Sequence, residues 1–371
     1  MDFSVPFLEG VQDLLSPSIV VFRDRVAANI QHMITVAGGA HRLRPHVKTH
    51  KMSEVVRMCE SAGIHKHKCS TIAEAEMTAS AGGRDVLLSY PLVGPNIWRF
   101  LKLQQFYGAT RFATLADDLE TVEFIDEAAR RHNQTIRLYL DLDLGMNRTG
   151  IEAGDKAFEI YQKIVESKNL IASGLHGYDG HVRDFEPLAR KATVKPGQDA
   201  LFAFRDRLVG AGFPVPSLVM GGSPSFPIHA ELTDPAVECS PGTLVFNDAG
   251  YGLRYEDLEF PPAAYLLTRV VSRPGHDRLC LDLGHKAVAA DPAPPKARIL
   301  ALPDAEPLGQ SEEHLVIRCA EPGKYPVGTA LWAVPSHICP TVALHNWVYV
   351  AEAGKIVGRW DVTARGRVIT I

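Results

Sequence analysis

The sequence lacks the features that mark secreted, membrane-spanning or nucleic-acid-binding proteins. It has no apolar run of about 18 residues, and its first residues show no basic start followed by an apolar stretch. Its six cysteines are scattered without a Cys-x-x-Cys pair, which argues against a disulfide framework. Its net charge of -4 favours neither nucleic acid nor an anionic membrane as a partner. These absences predict a cytoplasmic protein with reduced thiols.

The composition is that of an ordinary globular protein in a long chain. The chain has 371 residues, of which 46% are hydrophobic and 22% are charged. This length fits one barrel-sized domain together with a smaller one.

Short apolar runs alternate with helix-like stretches through the first two-thirds of the chain. Eight of these runs predict strands: Leu43–Val47, Lys68–Thr71, Val86–Tyr90, Arg111–Leu115, Ile136–Leu142, Ala172–Gly177, Ser217–Met220 and Thr243–Phe246. Repeated strand–helix units of this size predict a parallel sheet, and eight of them favour a closed (β/α)8 barrel. A doubly wound open sheet is the alternative, although no Gly-x-Gly-x-x-Gly motif follows the first strand.

The sequence pattern changes after about Tyr251, where short strand-like runs are closely spaced and separated by Pro, Gly and Asp residues. This pattern predicts an antiparallel β domain. We therefore expect a barrel over residues 16–252 and a C-terminal β domain over residues 253–371. Residues 1–15 have no clear place in the barrel pattern, and pairing with the β domain is one interpretation.

The most informative stretch is the run from Leu43 to Lys51. Read as a strand, it presents four cationic residues on one face: Arg44, His46, Lys48 and His50. Such a face suits an anionic ligand. Neighbouring positive charge also disfavours the ammonium form of a lysine, which would free Lys48 to attack a carbonyl. A solvated edge strand or a nucleic-acid patch explains these residues equally well when they are taken alone.

Three further segments follow predicted strands, where barrel active sites lie. Asp141–Arg148 offers two acids and an arginine, either for a ligand or for an ion-pair network. Gly174–His181 brings Tyr178 and His181, which can stack on a ligand or hydrogen-bond to it. Gly221–Ser225 predicts a phosphate cradle of backbone N–H groups and hydroxyls, and an ordinary Gly/Ser turn is the alternative.

The β domain contains the segment Pro335–Thr341, in which His337 and Cys339 share a face if the chain is extended. Imidazole and thiolate together favour zinc. With only two protein ligands, such a metal would keep positions open for water or substrate. A buried cysteine beside a structural histidine is the alternative.

Together these motifs resemble the D-threonine aldolase and D-serine dehydratase family, pyridoxal-phosphate enzymes with the alanine racemase-like fold. The lysine motif Arg44–Lys51 and the motif Pro335–Cys339 carry the resemblance most specifically. Less specific matches follow in the expected order over nearly the whole chain: Ser16–Ser18, Asn147–Gly150, Tyr178–Gly180, Gly221–Ser223, Pro241–Thr243 and Leu281–Lys286. The resemblance implies a (β/α)8 barrel of alanine racemase type followed by a C-terminal antiparallel β domain, in a homodimer.

The resemblance also implies roles for individual residues. Lys48 would bond covalently to pyridoxal 5'-phosphate, and further residues would bind that cofactor: His46, Arg148, Tyr178, Gly222, Ser223, Gly242 and Thr243. His337 and Cys339 would bind a divalent metal (zinc, manganese or magnesium). His181 and Lys48 are the candidate catalytic residues.

Two reactions on a small 3-hydroxy-D-amino acid fit this resemblance. One is metal-dependent D-threonine aldolase activity, which yields glycine and an aldehyde. The other is dehydration of D-serine or 3-hydroxyaspartate to a 2-oxo acid and ammonia. Cys339 resembles the dehydratases, because the family's aldolases carry Asp there, whereas Pro340-Thr341, Leu344-His345 and Trp360–Gly366 resemble the aldolases.

We favour the aldolase, although one segment departs from that branch. Residues 179–181 read Asp-Gly-His in place of a His-Gly-Ser pattern, so the base at the β-hydroxyl stays open between His181 and a hydroxide on the metal. A non-enzymatic cofactor-binding protein is a further alternative, but such proteins usually lack a second domain. An amino-acid racemase is another, and it needs a second base, for which Tyr349 is a candidate.

Overall fold

The structure is a computed structural model, and it describes residues 3–371. These residues pack into two units. The β unit contains residues 3–32, 49–52 and 243–365, and the barrel unit contains residues 33–48, 53–242 and 366–371. The domain limits expected from the sequence, 16–252 and 253–371, remain a prediction. Each of the two units combines several separate stretches of the chain, whereas the predicted domains are continuous.

Strand β1 (Ser18–Phe22) and helix α1 (Arg23–Ala37) begin the regular structure. Seven parallel strands then form one sheet in chain order: β2 (Lys66–Cys69), β3 (Asp85–Pro91), β4 (Arg111–Ala116), β5 (Ile136–Asp143), β6 (Leu170–Tyr178), β7 (Leu218–Met220) and β8 (Val237–Cys239). Seven helices accompany them: α2 (Ser53–Ser61), α3 (Ile72–Ser80), α4 (Pro95–Phe106), α5 (Leu119–Arg131), α6 (Asp155–Glu166), α7 (Pro187–Gly210) and α8 (Phe226–Ala230). The predicted parallel sheet of strand–helix units is confirmed.

Helix α5 illustrates how the sequence produces this layer. The carboxylate of Asp118 accepts a hydrogen bond from the N–H of Thr121 at 2.9 Å and so caps the first turn. Val122, Ile125 and Ala129 are fully buried, at the three- and four-residue spacing that places them on one helical face. The helix therefore turns one apolar stripe inward and leaves its charged residues to solvent.

The segment Leu43–His46 closes the barrel between β8 and β2. The N–H of Arg44 donates to the carbonyl of Cys239 at 2.9 Å, and the N–H of Lys68 donates to the carbonyl of Pro45 at 2.9 Å. Parallel bridges of this segment to β8 and to β2 accompany these bonds. The first predicted strand is thus a bridged segment that occupies the eighth position of the barrel.

Two expectations about strands are wrong. The predicted regular strand does not continue past His46, because Val47–Thr49 forms a 3-10 turn, so the cationic residues do not lie on one strand face. Thr243–Phe246 is not a strand either, since Thr243–Val245 is a 3-10 turn and the last strand of the sheet is Val237–Cys239. The apolar run after Gly242 reflects burial of these side chains and not strand pairing.

The β unit contains helices α9 (Ala249–Gly252) and α10 (Ile338–Leu344) and eight further strands: β9 (Ala264–Ser272), β10 (Arg278–Leu281), β11 (Ala297–Ile299), β12 (Glu306–Gln310), β13 (Leu315–Arg318), β14 (Ala330–Pro335), β15 (Trp347–Glu352) and β16 (Lys355–Asp361). With β1 these strands form a nine-stranded sheet. All its pairs are antiparallel except β1 with β15. The predicted antiparallel character of this half is confirmed.

The N-terminal residues belong to the β unit. Strand β1 lies between β9 and β15, although the sequence placed this stretch in the barrel. Leu8 is buried in the same apolar cluster as Val20 and Tyr265, and the N–H of Glu9 donates to the carbonyl of Gly354 at 2.9 Å. No helix within residues 3–371 is both long enough and apolar enough to cross a lipid bilayer.

Candidate active site

A cavity of about 520 Å³ opens in the barrel unit where strands β2, β3, β5 and β6 end. Its walls combine polar and apolar side chains: His46, Lys48, Lys68, Ser70, Ser89, Tyr90, Pro91, Val93, Asp141, Leu142, Met146, Arg148, Thr149, His176 and Tyr178. This is the size of a pocket for a small cofactor or substrate. The structure therefore brings four of the predicted site residues, His46, Lys48, Arg148 and Tyr178, to one cavity.

His46 fixes the turn that presents Lys48. The N–H of Lys48 donates to Nδ1 of His46 at 3.1 Å, so the ring hydrogen must be on Nε2. That Nε2 lies 3.0 Å from the hydroxyl of Ser70, to which it can donate. His46 thus acts on the backbone of Lys48 and ties it to the end of strand β2.

The ring of Tyr178 is surrounded by cations. The side-chain nitrogens of Lys48 and Lys68 lie 5.7 and 5.8 Å from the ring centroid, and the guanidinium of Arg148 lies 4.9 Å from it. Each of these contacts is of the cation–π type. The cavity consequently concentrates basic groups around one aromatic ring, which suits an anionic ligand with an aromatic ring of its own.

Lys68 is a site residue that the sequence reasoning missed. It is buried, and its Nζ lies 3.5 Å from Nε2 of His176, whose Nδ1 lies 2.6 Å from a carboxylate oxygen of Asp141. Burial, and then the charge of Lys48, lower the pKa of Lys68 to about 7. Burial likewise lowers the pKa of His176, although Asp141 acts in the opposite direction. A lysine at the end of a barrel strand is the sequence signal that could have revealed this group.

The loop that carries Arg148 is shaped by Asp143. One carboxylate oxygen of Asp143 accepts hydrogen bonds from the N–H groups of Gly145 at 2.9 Å and Asn147 at 3.0 Å. Gly145 and Asn147 both adopt positive φ angles, which glycine and asparagine tolerate best. Of the two acids predicted here, Asp143 therefore orders the loop, while Asp141 contacts His176.

Arg44 does not contribute to the cavity, contrary to the expectation of a shared cationic face. Its guanidinium is buried and lies 2.6 Å from Asp85 and 2.6 Å from Glu238. Burial by itself would lower the pKa of Arg44, but the two carboxylates raise it overall. Its charge is thus neutralised inside the barrel unit and is not offered to a ligand.

The Gly221–Ser225 turn lies beside Tyr178 but does not line the cavity. A Cβ atom on Gly222 would come within 2.9 Å of the Tyr178 ring, so only glycine allows this close approach. The N–H of Gly222 donates to the hydroxyl of Ser225, and the N–H of Gly242 donates to the hydroxyl of Ser223, each at 3.1 Å. Two of the predicted phosphate-binding N–H groups therefore have protein partners in this structure.

Asp179 and His229 support this turn, and neither was predicted. The carboxylate of Asp179 accepts a hydrogen bond from the hydroxyl of Ser225 at 2.8 Å and lies 2.8 Å from Nε2 of His229. Burial alone would raise the pKa of Asp179, but His229 and Ser225 lower it overall. Asp179 therefore holds the glycine turn and helix α8 together.

His181, the predicted catalytic base, lies apart from the residues that line the cavity. Its ring approaches the turn at Gly145, where an added Cβ would lie 3.1 Å from it. Its Nδ1 is buried and has no hydrogen-bond partner among the described residues. The structure thus leaves one unused nitrogen on His181.

His337 and Cys339 lie together in the β unit, at the start of helix α10. Nδ1 of His337 is 2.6 Å from Asp291, and the thiol of Cys339 lies 3.2 Å from the hydroxyl of Thr49 and 3.6 Å from that of Thr243. Burial alone would lower the pKa of His337, but Cys339 and then Asp291 raise it to about 9. Thr243, predicted to bind the cofactor, is therefore placed against the thiol.

This pair can supply at most two protein ligands to a metal. No group of three or more His, Cys, Asp or Glu side chains with metal-binding geometry occurs within residues 3–371. Because Asp291 contacts Nδ1 of His337, Nε2 is the nitrogen left for a metal, and the carboxylate would orient the ring. The donor set fits a metal whose other positions are filled by water or substrate.

Asp248 positions the segment between the two candidate ligands. Its buried carboxylate accepts hydrogen bonds from the N–H of Ile338 at 3.0 Å and from the N–H of Tyr251 at 2.9 Å. Burial raises its pKa to about 6. Sequence reasoning missed this residue because ninety positions separate it from its partner.

Two families match the chain. Residues 21–249 match the family described as alanine racemase, N-terminal domain, and residues 263–351 match the putative serine dehydratase domain. The fold expected from the sequence, a barrel of alanine racemase type with a C-terminal β domain, is confirmed by these matches and by the solved structures.

The similar proteins include aldolases and dehydratases. A D-threonine aldolase of Arthrobacter sp. is 27% identical over 95% of this chain and 93% of its own length. A 3-hydroxy-D-aspartate aldolase of Paracoccus denitrificans is 28% identical over 98% of this chain and 96% of its own. A D-threo-3-hydroxyaspartate dehydratase of Delftia sp. is 22% identical over 93% and 96% of the two chains. The crystal structure of D-threonine aldolase from Filomicrobium marinum superposes with a TM-score of 0.89, covers 98% of this chain and 100% of that one, and is 27% identical.

These matches and the barrel site define the class of this protein as an alanine racemase-like enzyme. The chain belongs to the D-threonine aldolase and D-serine dehydratase family and is a lyase. Members of the alanine racemase-like family are pyridoxal-phosphate enzymes. The cavity fits that cofactor, because a lysine amine, an aromatic face and an excess of cations meet there.

Proposed function

We propose that this chain is a metal-dependent, pyridoxal-phosphate D-threonine aldolase. It cleaves 3-hydroxy-D-amino acids between the α- and β-carbons to glycine and an aldehyde. The observation that carries the proposal is the position of Lys48 in a cavity that also contains Tyr178 and Arg148.

Within this proposal, the barrel residues bind and orient the cofactor. Lys48 holds it through its amine, because His46 fixes the turn that aims this side chain into the cavity. Tyr178 and Arg148 supply an aromatic face and a cation. Gly222, Ser223 and Gly242 would hold the phosphate, provided that their bonds to neighbouring hydroxyls rearrange on binding. When bound, the cofactor supplies an electron sink that stabilises negative charge at the α-carbon of an amino acid.

The β unit would hold the metal. His337 and Cys339 are its proposed ligands, with Asp291 orienting the imidazole. Thr49 and Thr243 contact the thiol of Cys339, so that their hydroxyls can stabilise a thiolate. A divalent ion there would supply Lewis-acid assistance at the substrate hydroxyl.

His181 remains the proposed base for the β-hydroxyl proton. The Nδ1 of His181 is buried and has no hydrogen-bond partner among the described residues, so this nitrogen is available to accept a proton. Because His181 does not line the cavity, its side chain must move when substrate binds. Apo geometry often leaves such bonds unmade.

One observation favours a second candidate, dehydration of D-serine or 3-hydroxyaspartate to a 2-oxo acid and ammonia. Cys339 matches the dehydratases at a position where the aldolases resembled by this sequence carry aspartate. The greater similarity to the aldolases, at 27–28% identity against 22% for the Delftia dehydratase, supports cleavage instead.

A product assay separates the two reactions. The purified protein, loaded with pyridoxal phosphate and Mn²⁺ or Zn²⁺, is incubated with D-threonine, with D-serine and with 3-hydroxy-D-aspartate. Release of glycine from D-threonine supports the aldolase, and a 2-oxo acid with ammonia supports the dehydratase. A chelator should abolish either reaction, and activity that survives chelation contradicts the metal requirement.

The Lys48→Ala variant tests the cofactor assignment. It should lose the visible absorbance of the bound cofactor and nearly all activity, whereas Lys102→Ala, an exposed lysine on helix α4, should keep both. Unchanged absorbance in Lys48→Ala would place the cofactor elsewhere.

Two further parts of the proposal concern the whole protein. A homodimer is proposed from the family resemblance and can be tested by light scattering. A cytoplasmic location is proposed from the six cysteines, which form no disulfide within the described chain.

A further inference from the structure

A chain of three titratable groups in the barrel cavity has no part in the proposed roles above. Nζ of Lys68 lies 3.5 Å from Nε2 of His176, and Nδ1 of His176 lies 2.6 Å from Asp141. All three residues are buried and all three line the cavity that contains Lys48. Thr149 donates a further hydrogen bond to the second carboxylate oxygen of Asp141 at 3.0 Å, which holds that oxygen in place.

The direction of these hydrogen bonds follows from their chemistry. An ionised Asp141 can only accept, so Nδ1 of His176 carries a hydrogen and donates to it. Nε2 of a neutral His176 is then an acceptor that faces the amine of Lys68. The chain can therefore hold one proton at either of two places, on Lys68 or on His176, and Asp141 stabilises the second arrangement.

The surroundings keep the amine of Lys68 easily deprotonated. Burial is the main cause of its lowered pKa, and the charges of Lys48 and Arg44 act in the same direction. Asp141 and Asp179 oppose them. Tyr178 also faces Lys68, through the ring that lies 5.8 Å from its Nζ.

We infer that Lys68 is a second proton-accepting amine of this site, backed by His176 and Asp141, which takes up the proton that Lys48 must lose to react with a carbonyl. The inference rests on the proposed function, because it assigns Lys48 a proton to lose during turnover. It adds a proton-accepting residue to the site, with His176 and Asp141 as the groups that support it.

The transfer balances in protons and charge. An N–H bond of the Lys48 ammonium breaks, and its proton forms a new N–H bond on Lys68, directly or through one water. A proton of Lys68 then passes to Nε2 of His176, which becomes an imidazolium paired with Asp141. Lys48 and Lys68 are then both neutral, and the net charge of the cavity is unchanged.

The first experiment measures the amines without any enzyme reaction. Full-length protein freed of cofactor is treated with a trace of acetic anhydride at pH values from 6 to 11, and the acetylation of each lysine is read by peptide mass spectrometry. Lys68 should be half-labelled near pH 7, well below the exposed reference Lys102. Lys48→Met should move the Lys68 midpoint upward by roughly one pH unit, and Asp141→Asn should move it downward.

Either of two results from this experiment overturns the inference. One is a Lys68 midpoint that coincides with that of Lys102. The other is a midpoint that does not respond to Lys48→Met, because the two amines are then not coupled. Since the measurement needs no substrate, it decides the question even if the protein neither cleaves nor dehydrates any of the compounds in the product assay.

The second experiment follows the reaction that the product assay identifies. The wild-type kcat/KM should rise with pH through about 7, as Lys68 loses its proton. Lys68→Met should remove this rise and lower the rate about tenfold to a hundredfold. Lys68→Arg keeps the charge but cannot deprotonate, so it should lose the same rise without opening a cavity.

Two comparisons complete the test. Combining Lys68→Met with His176→Gln should cost no more than either change alone, because both residues act in one relay. Lys102→Met should keep the wild-type profile. A wild-type pH profile in folded Lys68→Met and Lys68→Arg would overturn the inference.

Discussion

The guanidinium of Arg44 lies 2.6 Å from the carboxylate of Glu238, across the seam where the bridged segment meets strand β8. The side chain of Arg44 is only 2% exposed, and Asp85 lies 2.6 Å from its other side. The same two stretches of chain are joined by the backbone bond from Arg44 to Cys239. A residue that reads as part of a ligand-binding patch is thus part of the closure of the barrel.

Replacing Arg44 with leucine should lower the free energy of unfolding of the barrel unit. The change removes the buried cation from two buried carboxylates, and Glu238 and Asp85 keep only their pairs with the more exposed Lys66 and Arg111. Loss of one member of a buried ion pair costs about 3–5 kcal/mol. Urea denaturation measures the loss. The matched control is Arg57→Leu, because the Arg57 side chain is 55% exposed and its pair with Glu54 is at the surface, where the change should be within about 0.5 kcal/mol.

Adding one methyl group to Gly222 should disturb the cavity through Tyr178. The new Cβ would lie 2.9 Å from the tyrosine ring, so the ring must move at a cost of roughly 1–3 kcal/mol. We expect Gly222→Ala to bind pyridoxal phosphate about tenfold more weakly, as read from an absorbance titration. Gly210→Ala is the control, since nothing lies within 4 Å of an added Cβ there, and it should bind as the wild type does. Equal affinities for both variants would contradict this role for Gly222.

Removing the thiol of Cys339 should reduce the metal content of the purified protein. With Cys339→Ala only His337 remains of the proposed pair, and loss of one of two protein ligands should weaken metal binding at least tenfold to a hundredfold. Metal analysis after dialysis against a weak chelator measures this. Cys280→Ala, a buried cysteine of the same unit, is the control and should retain the metal. Cys339→Asp should restore part of the binding, because a carboxylate is also a ligand for divalent ions.

Because of the Asp179 carboxylate, the free energy of unfolding should depend on pH. Its pKa in the folded state is lowered, so the ionised form stabilises the fold above the unfolded value of about 3.9. That contribution is lost as the pH falls through the folded value. Asp179→Asn should therefore be roughly 2–3 kcal/mol less stable than the wild type at pH 7, with a gap that narrows below about pH 4.

Urea denaturation between pH 3 and 7 measures this gap. Asp206→Asn is the control, because Asp206 is 69% exposed, and its effect should stay near 0.5 kcal/mol or less. A gap for Asp179→Asn that does not change with pH would show that Asp179 does not stabilise the fold through its charge.

Local patterns revealed much of the barrel but not its closure. Strands β3 to β6 were found from their apolar runs, since strands covered on both faces must be apolar along their whole length. Strand β8 has three residues, one of them the Glu238 that pairs with Arg44, and so it shows no run at all. The apolar segment Thr243–Phe246 was mistaken for it, because burial and strand pairing select the same residue types.

Local patterns likewise revealed some residues of the candidate site and missed others. Lys48, Tyr178 and Arg148 follow predicted strand ends, where barrel side chains converge, so the sequence could bring them to one cavity. The role of Lys68 becomes visible only from its contact with His176, which is more than one hundred positions away in the chain. The role of Asp248 likewise becomes visible only from its hydrogen bond with Ile338. Contacts of this separation leave no mark in a local pattern.

By itself the sequence determined the parallel barrel, the antiparallel second half and the lysine at a barrel mouth, because strand periodicity and strand-end position are local properties of the chain. The tertiary structure decided which cations face a ligand. The charge of Arg44 is neutralised by Asp85 and Glu238, which come from distant strands. Lys68, in contrast, lies close to Lys48 and His176. Charge acts through space and depends on burial, so its role is fixed only when the chain has folded.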